Sequence, residues 1–277
     1  AKYKKKNPYV DLYADFHADA LISANNFFSK FILHKLIWKI VIKVVAKNFR
    51  KIYYTRPSVK RFSIEMYNVK ENKLHPLLLG SEKNTLDPDE IRNCRTQLRS
   101  KFNIPEDDLV ICTGGKIDHW KKIDLLINAI DKSGLKNKIH LIIFGSVESK
   151  YLEEYKNLIS NINFVYEMGW INENEIENVY HASDVAIFLG NHSVLWEKAI
   201  CCGIPTIFSE DIDRGYLDLN GNNIFVKNNN INDLIEKLKY LSDNPKKIQL
   251  MRLVAEEKGY KLFSYSNIVN KLTESWR

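Results

Sequence analysis

The chain has 277 residues, of which 45% are hydrophobic and 27% charged; that is room for two domains with cores of their own, and it excludes collagen-like, disordered and disulfide-scaffold classes. The net charge of +7 is unevenly placed: residues 1–70 hold 15 Lys and Arg against 4 Asp and Glu, and the other 207 hold 26 against 30. A front at net +11 and a back at −4 point to two units with different partners, the front facing a membrane surface, nucleic acid or an anionic substrate, although nothing in it resembles a nucleic-acid-binding module.

In chain order, the basic run Lys4-Lys5-Lys6 comes first, and Pro8 to Phe16 reads as a strand ending at Asp15-Phe16-His17. From Phe27 to Lys51 the pattern is helical, with Lys35, Lys39, Lys43 and Lys47 on one drifting stripe among Ile, Val, Leu, Trp and Ala. Ile52–Tyr54 reads as a strand, Ser58–Tyr67 as a helix and Leu74–Leu79 as a strand stopped by Gly80; the polar, proline-bearing Ser81–Pro88 reads as a linker. Further on, apolar runs suited to buried parallel strands fall at Leu109–Thr113, Ile139–Phe144, Asn163–Glu167, Val185–Leu189, Thr206–Phe208 and Ile224–Val226. Helical patterns separate most of them: Lys121–Asp131, Lys150–Ser160, Glu173–His181, Val194–Cys202 and Ile231–Ser242. Strand alternating with helix predicts an α/β fold, a doubly wound parallel sheet. The domains expected are 1–83, 84–260 and a final helical segment 261–277. The chain opens on Ala1 rather than Met, so a fragment or processed product is expected. No signal peptide is visible, and no charge-free apolar stretch approaches the roughly 18 residues of a spanning helix.

In doubly wound sheets ligands sit at the carboxyl ends of the strands, so those loops matter most. The first is Gly114-Gly115-Lys116-Ile117-Asp118-His119-Trp120-Lys121-Lys122. Two glycines beside lysines at a helix entry suit a diphosphate, and a solvated Gly-Lys turn has the same pattern. The second is Gly145-Ser146, a small-residue turn of low specificity. The third, Gly190-Asn191-His192-Ser193, leads into Val194-Leu195-Trp196-Glu197-Lys198-Ala199. Glu197 lies a turn inside that helix, where it can accept hydrogen bonds from ribose hydroxyls or pair with a surface lysine. Cys201-Cys202-Gly203-Ile204-Pro205 closes the helix. None of the four cysteines (Cys94, Cys112, Cys201, Cys202) forms a C-x-x-C pair, which removes support for zinc or redox motifs and fits a reduced, cytosolic setting.

The run Ser193 to Thr206 resembles the nucleotide-sugar motif E-x7-E-A-x-A-x-G-x-P of GT-B glycosyltransferases of family 4. Gly115-Lys116-Ile117 with Lys121 is similar to that family's G-R-L…K-G element, and Ala182-Ser183-Asp184-Val185 to the strand start before the motif. The resemblance covers the chain from about Tyr9 onward and implies a Rossmann-like donor domain behind a partial N-terminal acceptor domain, with the last helix, 261–277, crossing back to the N-terminal domain. Three positions depart from it: Leu189 stands where the motif has its first acid, Lys116 where the family has Arg, and Lys122 where it has Gly. The front is also too short for a full N-terminal sheet.

The resemblance implies transfer of a sugar from a nucleotide diphosphate to an acceptor hydroxyl, in surface polysaccharide or glycolipid synthesis. Lys116 and Lys121 would offset the charge of the leaving diphosphate, so no metal and no cofactor beyond the nucleotide-sugar co-substrate is expected. Donor binding would fall to Gly114, Gly115, Gly145, Gly190, His192, Ser193 and Val194, with Glu197 on the ribose and Trp170 near the base. His17 resembles the family histidine that faces the donor sugar near a glycan or lipid-linked acceptor; in a turn it is equally a strand-end residue. The 27–51 helix reads either as the outer helix of the front domain, its lysine stems on apolar surface, or as an interfacial helix on anionic lipid at the inner membrane face. Phe27, Phe28, Phe31 and Trp38 favour the second. The competing reading is a degenerate, non-catalytic GT-B subunit that binds a nucleotide or a partner protein; a sugar epimerase of the same architecture matches the Glu197 motif less well.

Overall fold

The computed structural model describes residues 2–19, 23–24, 26–82, 87–274 and 276. The chain divides into a front unit, Ala1–Leu79 with Leu272–Arg277, and a back unit, Gly80–Lys271. The expected domain boundary between residues 83 and 84, and the middle of the expected linker, lie outside the described residues.

The front unit opens with a one-turn helix, α1 (Lys2–Lys6), and is built on a parallel sheet of β1 (Leu12–Phe16), β2 (Phe49–Tyr54) and β3 (Leu74–Pro76), in that order. The long helix expected over 27–51 is three pieces: π-helical turns at Phe28–Trp38, α2 at Lys39–Val45, and a 3₁₀ turn at Ala46–Asn48. Its expected C-terminal end belongs to β2 instead, because Phe49 and Lys51 pair with Leu12 and Tyr13 of β1. Lys73 Nζ helps to end the helix there, donating to the Ala46 and Phe49 carbonyls at 3.0 and 2.8 Å. The wider π turn displaces Lys35 from the line that Lys39 and Lys43 share.

Buried His34 anchors the π segment. Its Nε2 donates to the Ser23 carbonyl at 2.8 Å, which leaves Nδ1 to accept from Tyr67 Oη at 2.6 Å. Burial pushes the Tyr67 phenol up to about 12. His34 sits among Phe62 and Tyr67, and Tyr67 and Phe62 of α3 (Pro57–Tyr67) join Ile52 and Leu74 in the small front core. From the far end of the chain, Trp276 packs on Tyr13 and donates its indole N–H to Tyr53 Oη at 3.2 Å.

The back unit begins earlier than the linker reading placed it. Ser81 is buried, its N–H bonded to the Phe263 carbonyl at 2.9 Å and its hydroxyl to Lys198 Nζ at 3.1 Å. Asp87 and Pro88 open α4 (Pro88–Phe102), a helix absent from the sequence reading although its signal is present. Asp87 caps the Asp89 and Glu90 amides, the Glu90 carboxylate accepts from the Asp87 N–H, and Pro88 fills the first helical position.

Six parallel strands follow: β4 (Leu109–Gly114), β5 (Ile139–Phe144), β6 (Val165–Gly169), β7 (Val185–Phe188), β8 (Thr206–Ser209) and β9 (Asn223–Val226), in the order β6-β5-β4-β7-β8-β9. The helices are α5 (Ile123–Lys132), α6 (Leu152–Ile159), α7 (Glu173–Ala182), α8 (Leu195–Cys201), α9 (Ile231–Asp243) and α10 (Pro245–Phe263); α11 (Tyr265–Glu274) follows, its residues from Leu272 counted with the front unit. Alternate strand residues separate to two faces. Ile111, Leu141, Ile143 and Ile187 pack with Leu126, Tyr155 and Leu234 of α5, α6 and α9. On the other face Phe144 meets Tyr180 of α7, while Phe188 and Phe208 meet Trp196 of α8. Coverage on both sides is why these strands read as unbroken apolar runs.

At the amino edge of the sheet, Asp184 accepts from Arg95 Nη1 at 2.7 Å, Arg99 Nη2 at 3.2 Å and the Val110 amide at 2.7 Å. The carboxylate thereby ties α4 to β4 and β7, at the end of the strands opposite the glycine loops.

Candidate functional site

The strand order reverses between β4 and β7, since β4 pairs with β5 on one side and β7 on the other. The loops leaving these two strands therefore face one crevice at the carboxyl edge, where ligands of doubly wound sheets bind. They are the first and third loops singled out in the sequence.

Backbone contacts lock the loops together. The Asn191 amide donates to the Trp120 carbonyl at 3.0 Å, and a Cβ at Gly190 would overlap that same oxygen. The second loop joins them at Gly145, which has a φ of +121° and no room for a Cβ against the Gly115 carbonyl. Gly145 N–H also donates to the Gly169 carbonyl at 2.7 Å, so Trp170, with its side chain exposed, follows directly beside this cluster. Ser193 Oγ and the Leu195 side chain lie next to Gly115. The structure thus gathers Gly114, Gly115, Gly145, Trp170, Gly190, His192, Ser193, Val194 and Lys121 at one edge of the back unit.

Lys121 is the cation built into this edge. Its ammonium donates to the Asn191 carbonyl at 3.0 Å, and burial holds its pKa below the ordinary lysine range. Lys116 is turned outward, exposed and paired with Glu148 at 3.2 Å. Lys122 occupies the left-handed region at φ +56°, the conformation that suits the glycine of the family element. Its ammonium donates to Asn228 Oδ1 at 2.6 Å. Arg214, missed by the sequence reading, spans β7 and β8, donating to the Gly190 and Ser209 carbonyls at 2.7 Å each and lying over the Trp196 ring.

Glu197 is fully buried. Its Oε1 accepts from His192 Nε2 at 2.8 Å and from Tyr216 Oη at 2.6 Å, while Oε2 is enclosed and has no partner among the described residues. The spacing needs a correction here. One residue more separates Glu197 from Gly203 than the quoted motif has, so a count back from Gly203 lands on Lys198. The contacts distinguish the two. Glu197 turns to the loop residue His192, whereas Lys198 turns away to Glu177 at 2.7 Å, Glu173 at 2.9 Å and Ser81. Leu189 is buried in the main core, so the position of the missing acid is filled by packing.

His17 belongs to the front unit, half out in solvent with Nε2 2.7 Å from Asp15 Oδ2. Tyr216 gave no sequence signal, because the turn that carries it follows β8 and is brought to Glu197 only by the fold.

A reversed parallel sheet with interlocked glycine turns, a half-buried lysine and a buried carboxylate at its switch point defines a Rossmann-like ligand-binding unit. Residues 95–261, more than half of the chain, match the family model for glycosyl transferases group 1, and the chain belongs to that family. A curated relative, the uncharacterized glycosyltransferase MJ1607 of Methanocaldococcus jannaschii, is 22% identical over 156 residues, a match spanning 55% of this chain and 40% of the relative. Among solved structures, Alr3699/HepE of Anabaena in complex with UDP superposes with a TM-score of 0.79 at 14% identity, over 99% of this chain and 74% of that one. WaaG, a glycosyltransferase involved in lipopolysaccharide biosynthesis, gives 0.69 at 14% identity, over 98% and 79%. The likeness at these identities is one of fold: α/β, GT-B, with a parallel Rossmann-like sheet in each unit.

Proposed function

We propose that the protein is a glycosyltransferase that moves a sugar from a nucleotide-diphosphate donor to an acceptor hydroxyl, in the synthesis of a surface polysaccharide or glycolipid and without a metal ion. The observation that carries this reading is that Lys121 and Glu197 bond neighbouring residues, Asn191 and His192, of one switch-point loop in a group 1 glycosyltransferase chain. A departing diphosphate gains negative charge, and a fixed, partly desolvated ammonium lowers that barrier more than it tightens ground-state binding. Lys116 would add a second cation on leaving Glu148. Glu197 Oε2, buried without a partner, would accept a ribose hydroxyl, and exposed Trp170 would stack on the base. Uridine is the favoured base, since HepE was captured with UDP and with UDP-glucose. His17, held by Asp15, would help the acceptor hydroxyl lose its proton.

No helix of the described residues is long and apolar enough to cross a membrane. The front instead exposes Phe28, Leu36 and Ile40, at 63%, 56% and 58%, beside a lysine series. That combination of apolar and basic surface fits shallow docking on anionic lipid, next to a lipid-linked acceptor.

Calorimetry with UDP and GDP tests the donor site: Glu197→Ala should weaken binding by about 1–3 kcal/mol, and unchanged affinity for both removes Glu197 from it. Transfer assays with candidate nucleotide sugars should proceed in chelator; a strict divalent requirement overturns the metal-free mechanism. Leu189 in the core and the lengthened motif favour a second reading, a nucleotide-binding subunit without turnover. Binding without transfer or donor hydrolysis for any donor would establish it.

A further inference from the structure

We infer that the back unit holds a further ligand site at the amino edge of its sheet, built for an anionic sugar: a sugar phosphate or a sugar acid. A cavity of about 710 Å³ opens there, at the end of the strands opposite the glycine loops. That volume lies in the range of small-molecule sites. α4, α10 and the turns that lead into β4, β5 and β7 wall it, and Ile91, Leu109, Leu135 and Ile248 supply its apolar surface.

Acids outnumber bases in the lining, so their positions decide the sign of the ligand. Glu106, Asp107, Asp243 and Glu256 are exposed residues at the rim. The two acids further in are committed. Asp108 accepts from His140 Nε2 at 2.9 Å, and Asp184 is shared by Arg95, Arg99 and the Val110 amide. Arg252 is the charge left over. It is half-buried, its Nη2 donates to the Ser183 carbonyl at 2.7 Å, and no carboxylate forms an ion pair with it among the described residues. Burial works against its charge, and so does Arg95 nearby, while Asp184 and Glu256 support it. Three guanidiniums thus act on the single Asp184 carboxylate. An oxyanion on the free edge of Arg252 restores the balance, and the planar fork fits phosphate and carboxylate alike.

The rim fixes the rest of the ligand. The Asp243 and Glu256 carboxylates only accept hydrogen bonds, so they repel a second anionic group and suit hydroxyls, which donate. Lys138, exposed at the same rim, disfavours an ammonium there. A molecule that meets Arg252 with an anionic end and the rim with hydroxyls is a sugar carrying a phosphate or a carboxylate.

The test is calorimetry of the whole chain, at low and high salt, with glucose 6-phosphate, glucuronate and inorganic phosphate as probes. At least one of the two sugars should bind with a Kd of about 1 mM or tighter. Inorganic phosphate, without the hydroxyl-bearing body, should bind at least about tenfold more weakly. Binding of glucose 6-phosphate alone assigns a phosphate ester, and of glucuronate alone a sugar acid. Arg252→Gln should weaken the sugar about tenfold or more, the range of a hydrogen bond to a charged group. Because that change also removes the bond to Ser183, a second variant leaves the fold untouched. Gln249 is exposed, lines the cavity and stands one turn before Arg252 on α10. Gln249→Glu sets a carboxylate beside the bound anion, so affinity should fall about threefold at low salt and recover in part at high salt; Gln249→Lys should do the reverse. Lys121→Met, at the opposite edge, should leave the affinity within about twofold. Absence of binding by either sugar, or inorganic phosphate bound as tightly as the sugars, overturns the site. So does a loss in Arg252→Gln with no response to charge at position 249, or a loss in Lys121→Met instead.

Discussion

The two units bury their apolar residues very differently. In the back unit both faces of a six-stranded sheet are covered, and Val110, Ile111, Cys112 and Ile142 have no exposed surface. In the front unit a three-stranded sheet supports a segment whose Phe28, Leu36, Ile37, Ile40 and Val44 lie open. The same kinds of side chain thus serve a core in one unit and a surface in the other. What separates them is the presence of a second layer, since a helix or sheet face is buried only when another element covers it.

The largest expected effect tests that contrast directly. Ile142→Ala should cost the back unit about 2–5 kcal/mol, by lost transfer energy and a residual cavity, whereas Ile40→Ala should change stability by less than about 0.5 kcal/mol. Thermal and denaturant unfolding measure both, and comparable losses would show that the front face is covered after all.

Next comes the charge of that face. Replacing Lys35, Lys39, Lys43 and Lys47 by Gln should remove about 1 kcal/mol of membrane attraction per lysine at low salt, less at physiological ionic strength. Flotation with phosphatidylglycerol liposomes should release the variant and retain the wild type; equal flotation would leave the lysines as a solvated surface.

The third effect belongs to the back unit, where polar groups are buried at the edge of the core. Lys121→Met should lower turnover by about 100-fold or more, near the value of one fixed donor to a developing charge, with a smaller change in donor affinity. A change confined to KM would make Lys121 a uniform binder. The pH dependence follows from its lowered pKa. In the free protein the ammonium loses its charge at a lower pH than an ordinary lysine does. A bound diphosphate favours the charged form, so binding above that pH takes up a proton and weakens as pH rises. Calorimetry at alkaline pH in buffers of different ionisation enthalpy should detect the uptake. Lys122, lowered for the same reason of burial, contributes as well, so the uptake should shrink in Lys121→Met; an unchanged uptake would assign it elsewhere.

The smallest effect is local. Lys122 holds a left-handed conformation, so Lys122→Gly should relieve roughly 1 kcal/mol of backbone strain, offset in part by the flexibility glycine adds to the unfolded chain. A net gain in stability is expected, and a loss would show that the bond to Asn228 outweighs the strain.

The back sheet was legible because its strands are covered on both sides: burial of every residue leaves an unbroken apolar run, and the turns between runs carry glycine. The glycine loops were legible for the same local reason, since close backbone approach excludes a Cβ at Gly145 and Gly190 whatever the sequence around them. The 27–51 helix was overread at its C-terminal end, because Phe49, Arg50 and Lys51 suit a helix as well as a strand until β1 lies beside them. The polar start of α4 was passed over in favour of a linker, although Asp87, Pro88 and Glu90 spell out its cap.

The sequence by itself determined which residues would stand at the carboxyl edge of the back sheet, because alternation of strand and helix and the small-residue turns are local properties of the chain. Only the tertiary structure decided what those residues meet. It turned Glu197 rather than Lys198 toward the loop, sent Lys116 to Glu148, brought Tyr216 and Arg214 in from a turn with no motif, and used Asp184 to tie the opposite edge. The reason is physical: a side chain's partner across space depends on how helices and strands from distant parts of the chain pack, and spacing along the chain carries no record of it.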